Sequence, residues 1–268
     1  MAGIVFGCIV PHPPLLVPDI GRGQEAAISA TTQAMEKLTD KLAEQHPDTI
    51  LAISPHGQYY GDAMGILTAT SSTGDLRSWG VVGPRQHFGN DLEMVALIQK
   101  EAGADGIHIK SIGENSYELD HGVMVPMHFL LSGVKGTPLV PLTFSWLSLQ
   151  THFAFGKAMR RAAEQSQKRV ALVASGDLSH RLIPGAPAGY EPMGKVFDEK
   201  LVEALSRLDT EGILNLDSEL VERAGECGLR SFVILLGALD GLGVKPEILS
   251  YEGPFGVGYL VASFEVVS

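Results

Sequence analysis

Three stretches of the chain are apolar almost without interruption and end on turn-forming residues: GIVFGCIV at 3–10, DTILAIS at 48–54 and RVALVAS at 169–175. Runs of that length, rich in Val and Ile, predict strands buried on both faces. TPLVPLTF at 137–144 predicts a fourth. The segments between them change period. From Gln24 to Gln45 the apolar positions Ala27, Ile28, Met35, Leu38 and Leu42 recur near helical spacing. The spacing also predicts helices over 90–102, with Asn90 as N-cap, over 149–165 and over 192–208. At the end of the chain, KPEILSYEG and GYLVASFEVV predict two strands joined by a glycine-rich turn. Strands that alternate with helices give an α/β fold: a mostly parallel mixed sheet with helices on both faces and an antiparallel edge from the last strands. No internal repeat or linker interrupts the pattern, so residues 1–268 are expected to form a single catalytic domain.

Composition narrows the partners. The chain has 20 Lys and Arg against 31 Asp and Glu, a balance that argues against a nucleic-acid or anionic-membrane surface, since both need clustered cations. A small molecule is the expected partner. Cys8 and Cys227 are the only cysteines, too few for a disulfide framework and consistent with a reducing compartment. No apolar run approaches the roughly 20 residues that span a bilayer, and the N-terminus lacks a basic signal-peptide region. A cytoplasmic protein is the expectation.

In sheets of this kind, ligands bind beyond the carboxyl ends of the strands. Three histidines fall there: His12 within CIVPHPPLLVP, His56 within SPHG and His180 within SGDLSH. Prolines on both sides of His12 restrict the backbone around it. A fourth, His121, follows Asp120 at the start of an apolar segment that is expected to be a helix broken at Pro126; Asp120 is its candidate cap. The other histidines, at 46, 87, 108, 128 and 152, are expected on the surface or satisfied in the core. The carboxylate candidate is Glu226, between Gly225 and Cys227 at the start of a buried helix, where the helix dipole favours its charge. Two histidines and one carboxylate on one face form the ligand set of non-haem Fe(II) oxygenases. A zinc hydrolase uses the same donors.

Taken together, PHPP at 11–14, SPHG at 54–57, LDHGVMVPMHFL at 119–130, SGDLSH at 175–180 and GECGLRS at 225–231 resemble the class III extradiol ring-cleavage dioxygenases of B-subunit type, to which the Memo proteins are related in fold. The resemblance runs over essentially the whole chain. It implies an extradiol dioxygenase B-subunit-like fold and cleavage of a catechol-type aromatic ring with O2. It also implies Fe(II) held by His12, His56 and Glu226, with His180 as acid/base and His121 against substrate or oxygen. Cys227 followed by Gly228 also resembles the Memo-type arrangement, in which a cysteine takes the place of the carboxylate. Cys227 is therefore the alternative ligand. It would bring softer chemistry, nearer Zn(II) or copper, in a Memo-like metal-binding protein or a metal-dependent hydrolase without ring cleavage. A homo-oligomer and a small second subunit are further partners that the resemblance implies.

Overall fold

The apolar runs at 3–10, 48–54, 137–144 and 169–175 become neighbouring parallel strands in the middle of one sheet. The computed structural model describes residues 2–267. In chain order its elements are β1 (Gly3–Val10), α1 (Pro18–Gly21), α2 (Ser29–Glu44), β2 (Thr49–Ser54), β3 (Met64–Ile66), β4 (Ser71–Gly74), β5 (Gln86–Gly89), α3 (Leu92–Ala104), β6 (Ile109–Ser111), α4 (His121–Leu130) and β7 (Leu139–Thr143). They continue with α5 (Leu149–Ser166), β8 (Arg169–Ser175), α6 (Pro192–Ser206), α7 (Thr210–Leu214), α8 (Ser218–Ala224), α9 (Leu229–Leu239), β9 (Val244–Glu252) and β10 (Tyr259–Val266). The eight-stranded sheet has the order β6-β3-β7-β2-β8-β1-β10-β9, and β4 pairs with β5 apart from it. Strands β7, β2, β8 and β1 are mutually parallel, so the carboxyl ends of β2, β8 and β1 lie side by side. The antiparallel pairing of β10 with β1 and of β9 with β10 is the expected edge.

Alternation along the central strands divides the core into two layers. Leu51 and Ile53 of β2 and Val170, Leu172 and Ala174 of β8 face α3, α5 and α9. Their neighbours Ile50, Ala52, Ala171 and Val173 face α2 and α4. Both faces of these strands are therefore dry, as their uninterrupted apolar sequences require. Helix α9 lies close against α5 because glycines meet at the crossing. A Cβ on Gly156 would sit 2.0 Å from the Ile234 carbonyl oxygen, and one on Gly237 would sit 2.1 Å from that of Phe153. This contact fixes α9, whose first turn reaches the carboxyl edge of the sheet.

Three expected helices shift. The helix expected over 90–102 begins at Leu92 and is capped by Asp91, whose carboxylate accepts the Met94 N–H at 3.1 Å. Asn90 serves elsewhere: its amide donates to the carbonyls of Leu67 and Ala69. The long segment from Gln24 divides into a 3-10 turn and α2, because Ile28 leaves helical geometry with ψ 37°. Pro126 does not break its helix. It lies inside α4, where it removes one backbone donor, and the burial of Val123, Met124, Val125, Met127 and Leu130 holds the turn.

Candidate metal centre

His12 leaves the end of β1 and is 2% exposed. Its backbone N–H donates to Asp177 Oδ1 at 3.0 Å, and its Nδ1 is hydrogen-bonded to Ser175 Oγ at 2.9 Å. The tautomer that donates from Nδ1 leaves a lone pair on Nε2, the arrangement expected of an imidazole ligand. His56, beyond β2, turns its Nε2 to within 2.9 Å of His12 Nε2. Its backbone N–H donates to Ser54 Oγ, which itself donates to Asp120 Oδ1 at 2.5 Å. Asp120 also accepts the Gly122 N–H and caps α4 as the sequence suggests, which places His121 in the first helical turn. The His121 ring then stacks on His56, with centroids 4.3 Å apart and an interplanar angle of 24°.

The third group is Cys227. Its Sγ lies 3.7 Å from His12 Nε2 and accepts the Asp177 N–H at 3.3 Å. The backbone N–H groups of Cys227 and Gly228 both donate to the Asp177 carbonyl, tying the start of α9 to the loop after β8. Contact between Gly176 and Gly228 permits this: a Cβ on Gly176 would fall 2.2 Å from Gly228 Cα. One donor atom each from His12, His56 and Cys227 lies within 4.8 Å of the others. For metal–nitrogen bonds of about 2.1 Å and metal–sulfur bonds of about 2.3 Å, neighbouring donors sit roughly 3.0–3.7 Å apart around a shared ion. The observed 2.9 and 3.7 Å lie close to the two ends of that range, and the third pair is within 4.8 Å.

Glu226 is not brought into this group. Its Oε2 accepts the Leu229 N–H at 2.6 Å, so the carboxylate turns back to cap the first turn of α9. The next residue, Cys227, is the one that turns its side chain toward His12. His180 lies beyond β8 with its Nδ1 buried and without a hydrogen-bond partner. Asp177, which the motif reading passed over, is 5% exposed, and its Oδ2 lies 3.8 Å from His12 Nε2. Its signal in the sequence was its place in SGDLSH, one residue past a strand end and its glycine.

Electrostatics keep the imidazoles neutral. Burial, with the neighbouring charges of His121 and His180, lowers His12 well below the usual histidine value. Burial under the ring and then His12 and His121 lower His56 to about 4. Burial also lowers His121, against the pull of Asp120 and Asp177. Asp177 is raised to about 6 by burial, opposed first by His180. Burial also pushes the Cys227 thiol well up. Neutral imidazoles beside a thiol that needs a cation to ionise are the donor set of a metal site. A cavity of about 490 Å³ opens next to His121, lined among others by Arg77, Trp79, Glu118 and Asp120. The Trp79 ring lies 5.5 Å from that of His121. Among the described residues, no helix is long and apolar enough to cross a membrane.

The family described as the catalytic LigB subunit of aromatic ring-opening dioxygenase matches residues 7–262. The chain belongs to the LigB family. A Clostridium acetobutylicum protein is 36% identical over 97% of the chain, and the chain spans 57% of that relative's length. The alpha subunit of 2-aminophenol 1,6-dioxygenase from a Pseudomonas species is 25% identical, with 98% of this chain and 99% of the relative covered. A MEMO1 family protein of Methanopyrus kandleri is 24% identical over 89% of this chain and 75% of its own length. A crystal structure of an Escherichia coli protein has the same overall fold at a TM-score of 0.63 and 17% identity, covering 97% of this chain and 99% of its own.

Proposed function

We propose that this LigB-family chain is a metal-dependent extradiol dioxygenase that opens a catechol-type aromatic ring, with one iron held by His12, His56 and Cys227. The convergence of those three donors, with the His121 ring stacked on His56, carries the reading. The donor chemistry fits: two neutral imidazoles and one thiolate leave a ferrous site at net charge near +1, the same as two histidines and a carboxylate, and suited to a dianionic or monoanionic diol. A bound ferrous ion would supply the site at which diol and O2 exchange electrons.

The chain's own groups then have separable tasks. Ser175 holds the His12 ring through Nδ1, and Asp177 clamps both ligand loops by accepting from the His12 N–H and donating to Cys227 Sγ from its own backbone. His121, on the cavity side of His56, is placed to take a proton from the diol. His180, whose buried Nδ1 has no hydrogen-bond partner, is the group to which this reading gives the return of a proton as the ring opens. Trp79 offers an aromatic wall to a planar ring. The two 2-aminophenol 1,6-dioxygenase relatives are named as alpha and beta subunits, which supports a second chain as a partner.

Cys227 also favours a second reading. A thiolate makes the donor set softer than a carboxylate would and suits zinc or copper, as in a MEMO-type metal protein without ring cleavage. The electron paramagnetic resonance spectrum of anaerobic, iron-loaded protein with nitric oxide separates the two. A high-spin ferrous-nitrosyl signal that changes shape with catechol is the result expected of the dioxygenase. A signal indifferent to every catechol, with no oxygen uptake, would leave the MEMO-type reading.

A further inference from the structure

Asp198 has no task in the chemistry above, and its place is unusual for a carboxyl group. It lies midway along α6, fully buried, on a helix whose other buried side chains, Phe197, Leu201 and Leu205, are apolar. Among the described residues no cation pairs with it, and the charges that reach it, from Glu226 and Glu199, are both negative. A buried carboxyl group held by neutral partners alone carries a desolvation cost that an apolar side chain of the same shape would not. Its role must lie in its two hydrogen bonds. Oδ1 accepts the Ser179 N–H at 2.9 Å, and Oδ2 accepts the Tyr251 hydroxyl at 2.7 Å. The surroundings leave little slack: a Cβ on Gly258 would fall 2.2 Å from Asp198 Oδ2, and one on Gly194 would fall 2.3 Å from Ser179 Oγ.

Ser179 is itself fully buried, and all its polar atoms are engaged. Its carbonyl accepts the Gly258 N–H at 2.9 Å, and its Oγ donates to the Ala224 carbonyl at 2.8 Å and accepts the Arg181 N–H at 3.1 Å. The next residue is His180. A charge on His180 is felt at His12, His56 and Asp177, which puts its imidazole near the metal donors. Its Nδ1, however, has no hydrogen-bond partner. That nitrogen does not orient the ring, so the backbone that carries it does. The Ser179 N–H is the last backbone donor before His180, and its acceptor is a side chain from another element. Without that acceptor the buried N–H would be left unpaired, a state the peptide relieves by rotating.

We propose that Asp198 is a positioning residue: by holding the Ser179 N–H through Oδ1, it sets the direction of the His180 imidazole. As a statement about catalysis this rests on the dioxygenase reading, in which His180 returns a proton as the ring opens. Tyr251 has a different part, which is to satisfy the second carboxyl oxygen and stabilise the pair.

The test reads the histidine rings of zinc-loaded protein by carbon–proton correlation NMR. The His180 signals are assigned by their loss in His180→Gln, and those of the buried His152 check the fold. Asp198→Leu keeps the branched shape and removes the acceptor. Asp198→Asn can still accept the Ser179 N–H through its amide oxygen, and Tyr251→Phe removes only the partner of Oδ2. The His180 signals are expected to move in Asp198→Leu while those of His152 stay, and to coincide with wild type in Asp198→Asn and Tyr251→Phe. Should Asp198→Leu fail to fold, Asp198→Ala is read in the same way. In iron-loaded protein the acceptor-free variant should lose about 100-fold in kcat for oxygen uptake with catechol, with KM within about twofold of wild type, and Asp198→Asn should restore kcat. His180 signals that stay in place in the folded acceptor-free variant, or that move equally in Tyr251→Phe, would overturn the assignment and leave the dioxygenase reading untouched. His180 signals that behave as expected in a protein whose wild type takes up no oxygen with catechol would keep Asp198 as the positioning residue and overturn the dioxygenase reading.

Discussion

Cys227→Ser and Glu226→Gln change adjacent residues and test opposite assignments of the third ligand. Ser keeps the size of the side chain and its hydrogen bond from the Asp177 N–H, but a hydroxyl does not supply the negative charge that a thiolate brings to the ion. Loss of even a supporting hydrogen bond outside the ligand set costs metal affinity about 10–100-fold. A lost ligand should therefore cost at least about 100-fold, or about 2.7 kcal/mol. In Glu226→Gln the amide oxygen can still accept from Leu229 N, at 2.6 Å in the native protein. What disappears is a charge at a helix N-terminus, about 0.3–1 kcal/mol of stability, which also limits any long-range effect on metal affinity to about fivefold. Zinc titration against a chromophoric chelator, with circular dichroism to confirm folding, measures both. A Cys227→Ser protein that keeps wild-type affinity while Glu226→Gln loses about 100-fold would refute the reasoning and restore the carboxylate.

Ser175→Ala removes the partner of His12 Nδ1 and should weaken zinc binding about 10–100-fold with little loss of fold in the same titration; unchanged affinity would mean that the ring is oriented by packing alone. In Gly228→Ala the added Cβ would fall 2.4 Å from the Phe232 ring and 3.0 Å from Gly176 Cα. Urea unfolding should show a loss of about 1–3 kcal/mol; a neutral result would show that the loop before α9 has room to move. Asp198 accepts from the Ser179 N–H and the Tyr251 hydroxyl, and burial raises it to about 7. The folded state then binds a proton that the unfolded chain releases near pH 3.8, so this group's stabilisation is full at low pH and is lost as pH rises toward 7. Asp198→Asn should remove that downward contribution, which is at most about 1.4 kcal/mol per pH unit. Identical pH slopes for the two proteins between pH 4 and 7 would contradict it.

The central strands were legible because burial on both faces confines polar residues to the strand ends, and the middles of β1, β2 and β8 are apolar. Strands β3, β4, β5 and β6 were not. Each has three or four residues, and sequences such as SSTG and IKS have too few positions to show a period. The placement of Asp91 as cap in preference to Asn90 depended on distant partners, Thr49 and Lys168, that no local pattern reveals.

At the site, the strand-end rule brought out His12, His56 and His180, and the Asp120 cap was readable beside His121. The choice between Glu226 and Cys227 was not readable, because both sit between Gly225 and Gly228 and the loop's direction decides which one faces His12. Ser175 and Asp177 were hidden for a related reason: their roles are hydrogen bonds to residues more than a hundred positions away.

The most direct test of the metal centre is X-ray absorption at the zinc edge of stoichiometrically loaded protein. The account predicts one sulfur scatterer at about 2.3 Å and two imidazole nitrogens at about 2.0–2.1 Å, with the sulfur absent in Cys227→Ser. A wild-type spectrum with only nitrogen and oxygen scatterers would contradict it.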